Sequence, residues 1–360
     1  MNPKAAIIGS YNFGNYGDDL MAVLFGKELQ KHGYRVSIFR LDEKIASDNG
    51  FETTHSVEDL FKDASVCIIG GGAHLISKEK FGTSIEADLE QVFEEMLISA
   101  RKYSVPVYSF SIGGDGKGAE TVLAPHHEAF FSSEVYKGGT VRLPQDIPLL
   151  KRLGKEANYV QDVLWLTSQI WPMPEKAAAK KGYDIGINLK RGRKSYAFIF
   201  LLRLIRLFRP DIRFKFIRLH LPNYDLNYEY QVENPSTGVS NLAYTGIEQF
   251  IGGISQLDLI VSAKLHLGLT GMTYKVPFLS IGAHGKTRAL LRSIGFGHHV
   301  YDMKAGHMLK IAGMLLTLNR KKLNSLYDWS SPSLQALVTD AKNNLTLLEN
   351  VARNPDTVTR

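Results

Sequence analysis

A histidine and a lysine that lie twenty positions apart, His266 and Lys286, are the residues of this sequence best suited to chemistry on a small anion. The same stretch contains Ser262 and Lys264, a few positions before the histidine. An imidazole titrates near neutral pH and can move a proton, and an ammonium group attracts carboxylates and phosphates. These residue types together predict acid–base chemistry beside a bound anion.

The apolar pattern around these residues predicts that both follow strands of a parallel sheet. Residues 257–261 are predicted to form a strand, 265–273 a helix and 276–281 the next strand. Open parallel sheets bind ligands at the carboxyl ends of their strands. We therefore expect His266 and Lys286 at one edge of a sheet.

Strands and helices alternate along most of the chain, which predicts an α/β protein with doubly wound parallel sheets. In the first half, the predicted strands are 5–9, 35–40, 66–69, 106–112, 140–142 and 159–160, and the predicted helices are 18–32, 86–102 and 146–153. In the second half, the predicted strands before residue 257 are 183–189 and 213–219, and the predicted helices are 196–208 and 246–255.

A change in composition divides these two series. Residues 171–182 contain two prolines and a lysine/alanine tract, which is typical of a linker. The predicted domains are a Rossmann-like lobe at 1–170, expected to bind the acceptor of a transferred group, and a second at 183–330, expected to bind its donor. A helix within 331–360 is expected to cross back to the first lobe. Two such lobes facing a cleft are typical of the GT-B-like architecture.

Composition limits the classes of function. The chain has 360 residues, a net charge of +7 and one cysteine, Cys67, so an internal disulfide and a thiolate zinc site are excluded. The start of the sequence lacks a long apolar signal region, and no apolar run reaches about 18 residues. These features predict a cytoplasmic protein, and no metal ion is expected.

The surplus positive charge is concentrated between residues 190 and 218, where apolar residues interleave with it. One interpretation is a helix packed on its sheet with a solvated basic face. The other is peripheral contact with the anionic inner surface of a membrane. Nucleic acid is not a predicted partner, because no recognised binding motif accompanies the charge.

Glycine-rich segments follow three predicted strands of the first lobe, at 9–19, 70–74 and 111–116. Their spacing matches neither the dinucleotide fingerprint nor a phosphate-binding loop. Glycine at such exits serves either a ligand or close packing of the backbone. Asp18 is either the N-cap of the first helix or a substrate-facing carboxylate. Arg142 and Asp162 also follow strands, where each is either a surface or capping residue or part of a cleft.

These segments occur in an order that resembles the polysaccharide pyruvyl transferase family over about residues 5 to 297. The matching positions are Asn15, Gly17, Asp18, Asp19, Gly70, Gly71, Gly72, Arg142, Asp162, Ser262, Lys264, His266 and Lys286.

The resemblance implies a GT-B-like fold and transfer of the enolpyruvyl unit of phosphoenolpyruvate to sugar hydroxyls. The product is usually a pyruvate ketal on a cell-surface polysaccharide or on its lipid-linked precursor. Phosphoenolpyruvate is a donor substrate, and no cofactor is implied. Membership would make this a transferase of exopolysaccharide biosynthesis in the cell envelope.

The resemblance also implies roles for single residues. His266 is the expected general base on the attacking hydroxyl, and Arg142, Lys264 and Lys286 are expected to bind the donor. Three carboxylates are candidates for the group that donates a proton to the methylene carbon, and they are Asp18, Asp19 and Asp162. The remaining substrate-binding candidates are Asn15, Gly17, Gly71, Gly72 and Ser262.

Two positions depart from the family pattern, and two other functions remain open. Members carry arginine where this chain has Lys264, and usually aspartate where it has Leu143. The first alternative is a nucleotide-sugar glycosyltransferase of GT-B architecture. The second is a non-catalytic glycan-assembly partner with the same fold. The acceptor sugar and the oligomeric state are not predicted.

Overall fold

The structure is a computed structural model that describes residues 2–80, 84–115, 117–174, 181–224, 229–233, 235–283 and 285–355. For residues 80, 84–87 and 286 it describes the backbone alone. Residues 175–180 of the predicted linker, Gly116 and His284 lie outside this description. The chain divides into two units, one of Met1–Val163 with Leu337–Arg360 and one of Leu164–Ala336.

The first unit is built on one parallel sheet with helices connecting its strands. Its strands are β1 (Lys4–Ile8), β2 (Arg35–Phe39), β3 (Glu52–Thr54), β4 (Ala64–Gly70), β5 (Ala73–Leu75), β6 (Val107–Gly114), β7 (Tyr136–Val141) and β8 (Ala157–Tyr159). Its helices are α1 (Tyr16–Lys31), α2 (Glu43–Asp48), α3 (Val57–Phe61), α4 (Ser84–Tyr103), α5 (Pro125–Ser132) and α6 (Ile147–Arg152).

The second unit repeats this design. Its strands are β9 (Tyr183–Asn188), β10 (Ile212–Arg218), β11 (Val239–Ala243), β12 (Leu259–Ser262), β13 (Phe278–Ile281) and β14 (Val300–Tyr301). Its helices are α7 (Thr167–Ile170), α8 (Arg193–Phe208), α9 (Ile247–Ser255), α10 (Leu265–Thr273), α11 (Gly285–Ser293), α12 (Ala305–Leu316) and α13 (Arg320–Asn324), and α14 (Pro332–Arg353) runs from this unit into the first.

The strand orders confirm the predicted fold class. The described strands of the first sheet run β3-β2-β1-β4-β6-β7-β8, with β5 beside β6, and those of the second run β11-β10-β9-β12-β13-β14. Strand pairs in both sheets are parallel. In each sheet the order reverses beside the first strand of its unit, which is the switch point of a doubly wound fold. The central strands are continuous apolar runs because helices cover both faces.

Predicted and observed elements agree best for the long central elements. The start of the first helix was wrong by two residues, because Asn15 and not Asp18 is its N-cap. The Asn15 side chain accepts the N–H of Gly17 at 3.1 Å. Asp18 and Asp19 therefore lie inside the first turn, where negative charge is favoured by the helix dipole.

α14 is held to the first unit by buried apolar residues and by side-chain hydrogen bonds. Ala341, Leu348 and Val351 are buried. Asn344, also buried, accepts from the Thr140 hydroxyl at 2.6 Å and donates to the Gln161 carbonyl at 2.8 Å. The helix thus fixes the ends of β7 and the segment after β8, next to Arg142 and Asp162. Within the described residues, the helices are too short or too polar to cross a lipid bilayer.

Candidate functional site

Three polar residues meet side by side at the carboxyl edge of the second sheet. Ser262 at the end of β12 pairs in register with Asn188 of β9 and with Ser280 of β13. All three are buried. The Ser262 hydroxyl donates to Asn188 Oδ1 at 3.2 Å and accepts the backbone N–H of Lys264 at 2.9 Å. Ser262 therefore ties the sheet edge to the start of α10.

Lys264 and His266 are both presented by the first turn of α10. Lys264 is the N-cap residue, His266 is the second residue of the helix, and both are half-buried. A helix amino terminus carries partial positive charge and unpaired N–H groups, so it favours an anion. The predicted base and one predicted cation are thus neighbours at a position suited to a phosphate or carboxylate.

Two glycines let α10 pack closely on the sheet. A Cβ placed on Gly268 would lie 2.3 Å from the Phe278 ring, and one on Gly271 would lie 2.3 Å from Ile260 Cδ1. Real Cβ atoms essentially never approach that closely, so a larger residue at either position would require the helix or these side chains to shift. The two glycines therefore allow the helix that carries His266 to pack close to the sheet.

Lys286 is described by its backbone alone. It is the second residue of α11, which follows β13 in the same sheet. This placement agrees with the predicted sheet edge, and its side-chain role stays a prediction.

A buried acid–histidine pair beside this edge was missed by sequence reasoning. Glu229 Oε1 accepts from Asn188 Nδ2 at 2.9 Å, and Glu229 Oε2 accepts the Leu219 N–H at 2.8 Å and lies 3.2 Å from His220 Nδ1. Burial alone would raise the pKa of Glu229, but hydrogen bonds from His220, Leu219 and Asn188 outweigh burial and lower that pKa. The carboxylate is therefore an anion at neutral pH.

In the first unit, the loop before α1 is fixed to the glycine segment after β4. Tyr11 is fully buried, and its hydroxyl donates to the Gly70 carbonyl at 2.5 Å. Burial, with the charges of Asp18 and Asp19 next in weight, raises the pKa of the Tyr11 hydroxyl. Asp19 is buried and Asp18 half-buried. The two carboxylates and the tyrosine thus lie close to one another.

The glycines at 71 and 72 are explained by local packing. Both have positive φ, at 75° and 85°. A Cβ on Gly71 would lie 2.3 Å from Met21 Sδ, and one on Gly72 would lie 2.6 Å from His74 Nε2. Close packing therefore requires small residues here, which is one of the two interpretations that the sequence left open.

Arg142 and Asp162 are brought together as a buried ion pair. Arg142 Nη1 lies 3.2 Å from Asp162 Oδ2, and Nη2 donates to the Gly72 carbonyl at 3.2 Å. Arg142 is 4% exposed and Asp162 is fully buried. The guanidinium thus links the glycine segment to the residue after β8, and the surface alternative for Arg142 does not hold. The roles of both residues in binding or catalysis stay predictions.

Asp146 is a second carboxylate beside Arg142 that sequence reasoning did not select for the site. It is fully buried, and its Oδ2 accepts the Gly114 N–H at 2.7 Å. Burial raises the pKa of Asp146 to about 6, against the opposing effects of the Gly114 N–H and the Arg142 charge. A buried carboxyl that titrates near neutral pH is a feature of functional sites. The only sequence signal was a carboxylate four positions after Arg142.

The described residues contain no group of three or more histidine, cysteine, aspartate or glutamate residues that could hold a metal ion. Cys67 is buried, and burial raises the pKa of its thiol.

Comparison with solved structures shows the fold of the chain. A putative UDP-N-acetylglucosamine 2-epimerase from Listeria monocytogenes aligns with 99% of this chain and 98% of its own, at 9% identity and a TM-score of 0.63. The UDP-GlcNAc 2-epimerase from Neisseria meningitidis aligns over 97% and 99%, at 10% identity and a TM-score of 0.59. A glycosyltransferase from Rickettsia africae aligns over 98% and 100%, at 9% identity and a TM-score of 0.53. The fold is that of GT-B glycosyltransferases and related epimerases.

Comparison by sequence identifies the family. No curated protein sequence matches the chain. The profile of the polysaccharide pyruvyl transferase family, however, matches residues 15–285, which is most of the sequence. The match contains the first turn of α1, Arg142, Asp162 and the start of α10. This chain therefore belongs to the polysaccharide pyruvyl transferase family.

Proposed function

We propose that this protein transfers the enolpyruvyl group of phosphoenolpyruvate to sugar hydroxyls and forms a pyruvate ketal. The observation that carries the proposal is the placement of Lys264 and His266 on the first turn of α10, at the carboxyl edge of a parallel sheet. Phosphoenolpyruvate carries a phosphate and a carboxylate, which suit a helix amino terminus with an adjacent cation.

The proposed reaction assigns each proton and bond. The methylene carbon of the donor gains a proton, and the first sugar hydroxyl adds to C2 as its proton passes to His266. Phosphate then leaves C2, and a second hydroxyl of the acceptor adds to the same carbon and gives its proton to the released phosphate. The acceptor gains a ketal-linked pyruvate, and inorganic phosphate is released. The proton for the methylene comes from a carboxyl group, with Asp18, Asp19 and Asp162 as the candidates.

Phosphate release that depends on acceptor tests the proposal directly. Purified protein is incubated with phosphoenolpyruvate and a panel of glycans, and transferred pyruvate is read by mass. His266→Ala should lower kcat by about 10²- to 10⁴-fold, the usual cost of losing a positioned acid–base group. His298→Ala, in a histidine outside the site, is the matched control. A non-catalytic glycan-assembly partner would release no phosphate with any acceptor.

A nucleotide-sugar glycosyltransferase is the second candidate, because the fold is shared with proteins whose names include UDP sugars. Isothermal titration separates the two functions. The proposed transferase should bind phosphoenolpyruvate, and His266→Ala with Lys264→Ala should weaken that binding. Binding of a UDP or GDP sugar, without binding of phosphoenolpyruvate, would favour the glycosyltransferase.

We also propose that α8 contacts an anionic membrane surface, where a lipid-linked acceptor would be held. Exposed apolar side chains form one stripe along the helix, and Phe200, Leu207 and Phe208 are 62%, 75% and 76% exposed. The opposite face, with Phe198, Leu202 and Ile205, is buried in the core.

Charge on α8 favours an anionic surface over a neutral one. The helix carries Arg193, Lys194, Arg203 and Arg206 and no carboxylate. An apolar stripe flanked by arginine and lysine is typical of helices that lie in a lipid interface. Each basic residue near such a surface contributes about 1 kcal/mol.

Co-sedimentation with vesicles tests the contact. The protein should bind vesicles that contain about one-third anionic lipid, bind neutral vesicles far less, and dissociate as salt is raised. Leu207→Ser with Phe208→Ser should weaken binding about tenfold or more, because two apolar side chains no longer enter the lipid. Ile98→Ser, at an exposed apolar residue of α4, is the matched control. Equal binding to both lipids, or a change of oligomeric state in the double variant, would contradict the proposal.

A further inference from the structure

A chain of buried hydrogen bonds connects Glu229 to the helix that carries His266. Glu229 is 5% exposed and lies well apart from α10 in sequence. Its carboxylate accepts a hydrogen bond from the Asn188 amide, and the Asn188 oxygen accepts one from the Ser262 hydroxyl. The Ser262 oxygen in turn accepts the backbone N–H of Lys264. The chain ends two residues before His266, at the N-cap of α10.

The direction of each hydrogen bond is determined by the residue before it. An ionised carboxylate can only accept, so Glu229 requires that Asn188 turn its Nδ2 towards it. Asn188 Nδ2 also donates to the Ile217 carbonyl at 2.9 Å. The Oδ1 atom is then left to accept, and the Ser262 hydroxyl donates to it. The oxygen of Ser262 is thereby oriented to accept the N–H of Lys264.

The charge of Glu229 is sustained by its own partners. The Leu219 N–H donates to Oε2 at 2.8 Å, and His220, which is 2% exposed, lies 3.2 Å from the same oxygen. Buried networks of this kind are stable only when each member is satisfied, and then they hold one arrangement. The end of β10, which leads into Leu219 and His220, is thus connected to the first turn of α10.

We propose that Glu229 is a positioning residue for His266 and Lys264, and that it acts through Asn188 and Ser262. The role assigned to His266 rests on the proposed pyruvyl transfer. Glu229 itself touches neither donor nor acceptor in this scheme. Its carboxylate and the Ile217 carbonyl together select the one orientation of the Asn188 amide that keeps the N-cap of α10 against the sheet edge.

Replacement of the carboxylate by an amide tests the proposal. In Glu229→Gln, one carboxylate oxygen becomes an NH₂ group, so the side chain can no longer accept from both Asn188 Nδ2 and the Leu219 N–H. One of these two donors then faces the new NH₂ group, and the repulsion between them is expected to shift Asn188 and, through Ser262, the backbone N–H of Lys264. We expect kcat to fall about 10- to 100-fold, because a misplacement of about 1 Å has effects of that size. Ser262→Ala, which removes the last link, should have a similar effect.

The matched control is Glu233→Gln, which makes the same substitution at an exposed residue of the same segment. It should leave kcat and KM within about twofold of the unsubstituted protein, as surface substitutions usually do. The free energy of unfolding is measured for each variant, so that loss of activity is compared among folded proteins only.

The position of His266 can also be read without turnover, which separates this inference from the proposed function. Histidine proton resonances are followed by NMR through a pH titration, and His266 is assigned from the signal absent in His266→Ala. Glu229→Gln and Ser262→Ala should both shift the titration midpoint of His266, and Glu233→Gln should not. If pyruvyl transfer fails but these shifts occur, the positioning role stands without the reaction.

Two results would overturn the inference. One is an unchanged His266 titration in both Glu229→Gln and Ser262→Ala. The other is a loss of stability in these variants with kcat, KM and the pH profile of kcat all unchanged. Either result would make the network a structural part of the second unit alone.

Discussion

At the scale of single residues, Lys264 joins a side-chain cation to the partial positive charge of a helix terminus. It is the N-cap of α10, and Ser262 holds its backbone N–H. A lysine offers a mobile point charge, whereas an arginine would offer two parallel N–H donors. Either cation can bind a phosphate at this terminus, whereas a neutral residue would leave only the helix N–H groups to do so.

Substitutions of Lys264 should therefore separate charge from geometry. We expect Lys264→Ala to raise KM for phosphoenolpyruvate about 10- to 100-fold, since a hydrogen bond to a charged group contributes about 1.5–3 kcal/mol. Lys264→Arg should keep KM close to that of the unsubstituted protein or lower it. Steady-state kinetics at several donor concentrations measures both values, and equal KM for Ala and Arg would contradict a role in donor binding.

Asp146 predicts a pH dependence of stability with a defined sign. Burial raises its pKa from the ordinary 3.8 to about 6, so the folded state holds the proton more tightly than the unfolded state. The contribution of this proton to the free energy of unfolding is complete below pH 3.8, the ordinary pKa of the unfolded state. It is lost as the pH rises through about 6.

Asp146→Asn should therefore stabilise the protein above this range and not below it. Asparagine keeps an oxygen for the Gly114 N–H and removes the buried charge. Denaturant unfolding should give an increase of about 1–3 kcal/mol near pH 8 and no increase near pH 4. Asp48→Asn, at an exposed residue, is the control. Destabilisation near pH 8 would contradict this expectation and show that Asp146 is needed as an anion.

At the scale of elements, α10 is the helix whose packing the candidate site depends on most. Gly268 and Gly271 let it approach Phe278 and Ile260. α12, in the same unit, contains Gly313, where an added Cβ would meet no atom within 4 Å. The same substitution should thus have opposite effects in the two helices.

Gly313→Ala should raise the free energy of unfolding by about 0.5–1 kcal/mol, because alanine is the better helix former. Gly268→Ala should lower it by about 1–3 kcal/mol through overpacking, and should lower kcat as α10 moves outward. Denaturant unfolding and steady-state kinetics measure these changes. A stabilising Gly268→Ala would mean that Phe278 yields and that the depth of α10 is not fixed by this contact.

The sequence predicted most of the elements in these sheets, because buried parallel strands are continuous apolar runs and the helices between them are long. It did not predict β3, whose residues Glu52, Thr53 and Thr54 show no apolar pattern. The start of α1 was wrong because polar residues at 15, 18 and 19 are all suitable N-caps, and only the backbone geometry selects Asn15.

Sequence reasoning selected candidate residues at the end of a strand or within a few positions after it, as Arg142, Ser262 and His266 are. Glu229 was not predicted, since the described residues that follow it, 230–233, belong to no helix or strand and its partners lie in β9 and just after β10. Asp146 was assigned only to the start of a helix. Its burial and raised pKa depend on contacts with Gly114 and Arg142 that no local pattern encodes.

At the scale of the whole molecule, the first unit is assembled from two distant parts of the chain. Residues 337–360 belong with residues 1–163, although the second unit separates them in sequence. Besides the bonds of Asn344, the Tyr34 hydroxyl donates to the Ala352 carbonyl at 2.7 Å and Asp340 accepts the Gln161 N–H at 2.8 Å. The return of α14 therefore supports strands that carry Arg142 and Asp162.

Truncation after Ala336 should destabilise the first unit and spare the second. The cut removes Ala341, Leu348 and Val351 from the core of the first unit. Hydrogen exchange read by mass spectrometry should show protection lost in peptides of residues 2–163 and kept in those of 181–336. Leu348→Ala, a milder change, should cost about 2–5 kcal/mol in the same unit. Equal loss of protection in both units would contradict this expectation.

The late return of α14 has a consequence for how this protein folds while it is synthesised on the ribosome. The sheet of the first unit needs residues near position 350 to cover its core. The packing of this core therefore stays incomplete until the rest of the chain is synthesised. The sheet of residues 183–301 is encoded later, yet every strand and most of the helices that it needs emerge before α14 does. The second sheet, although it is synthesised later, is thus the first that can complete its fold.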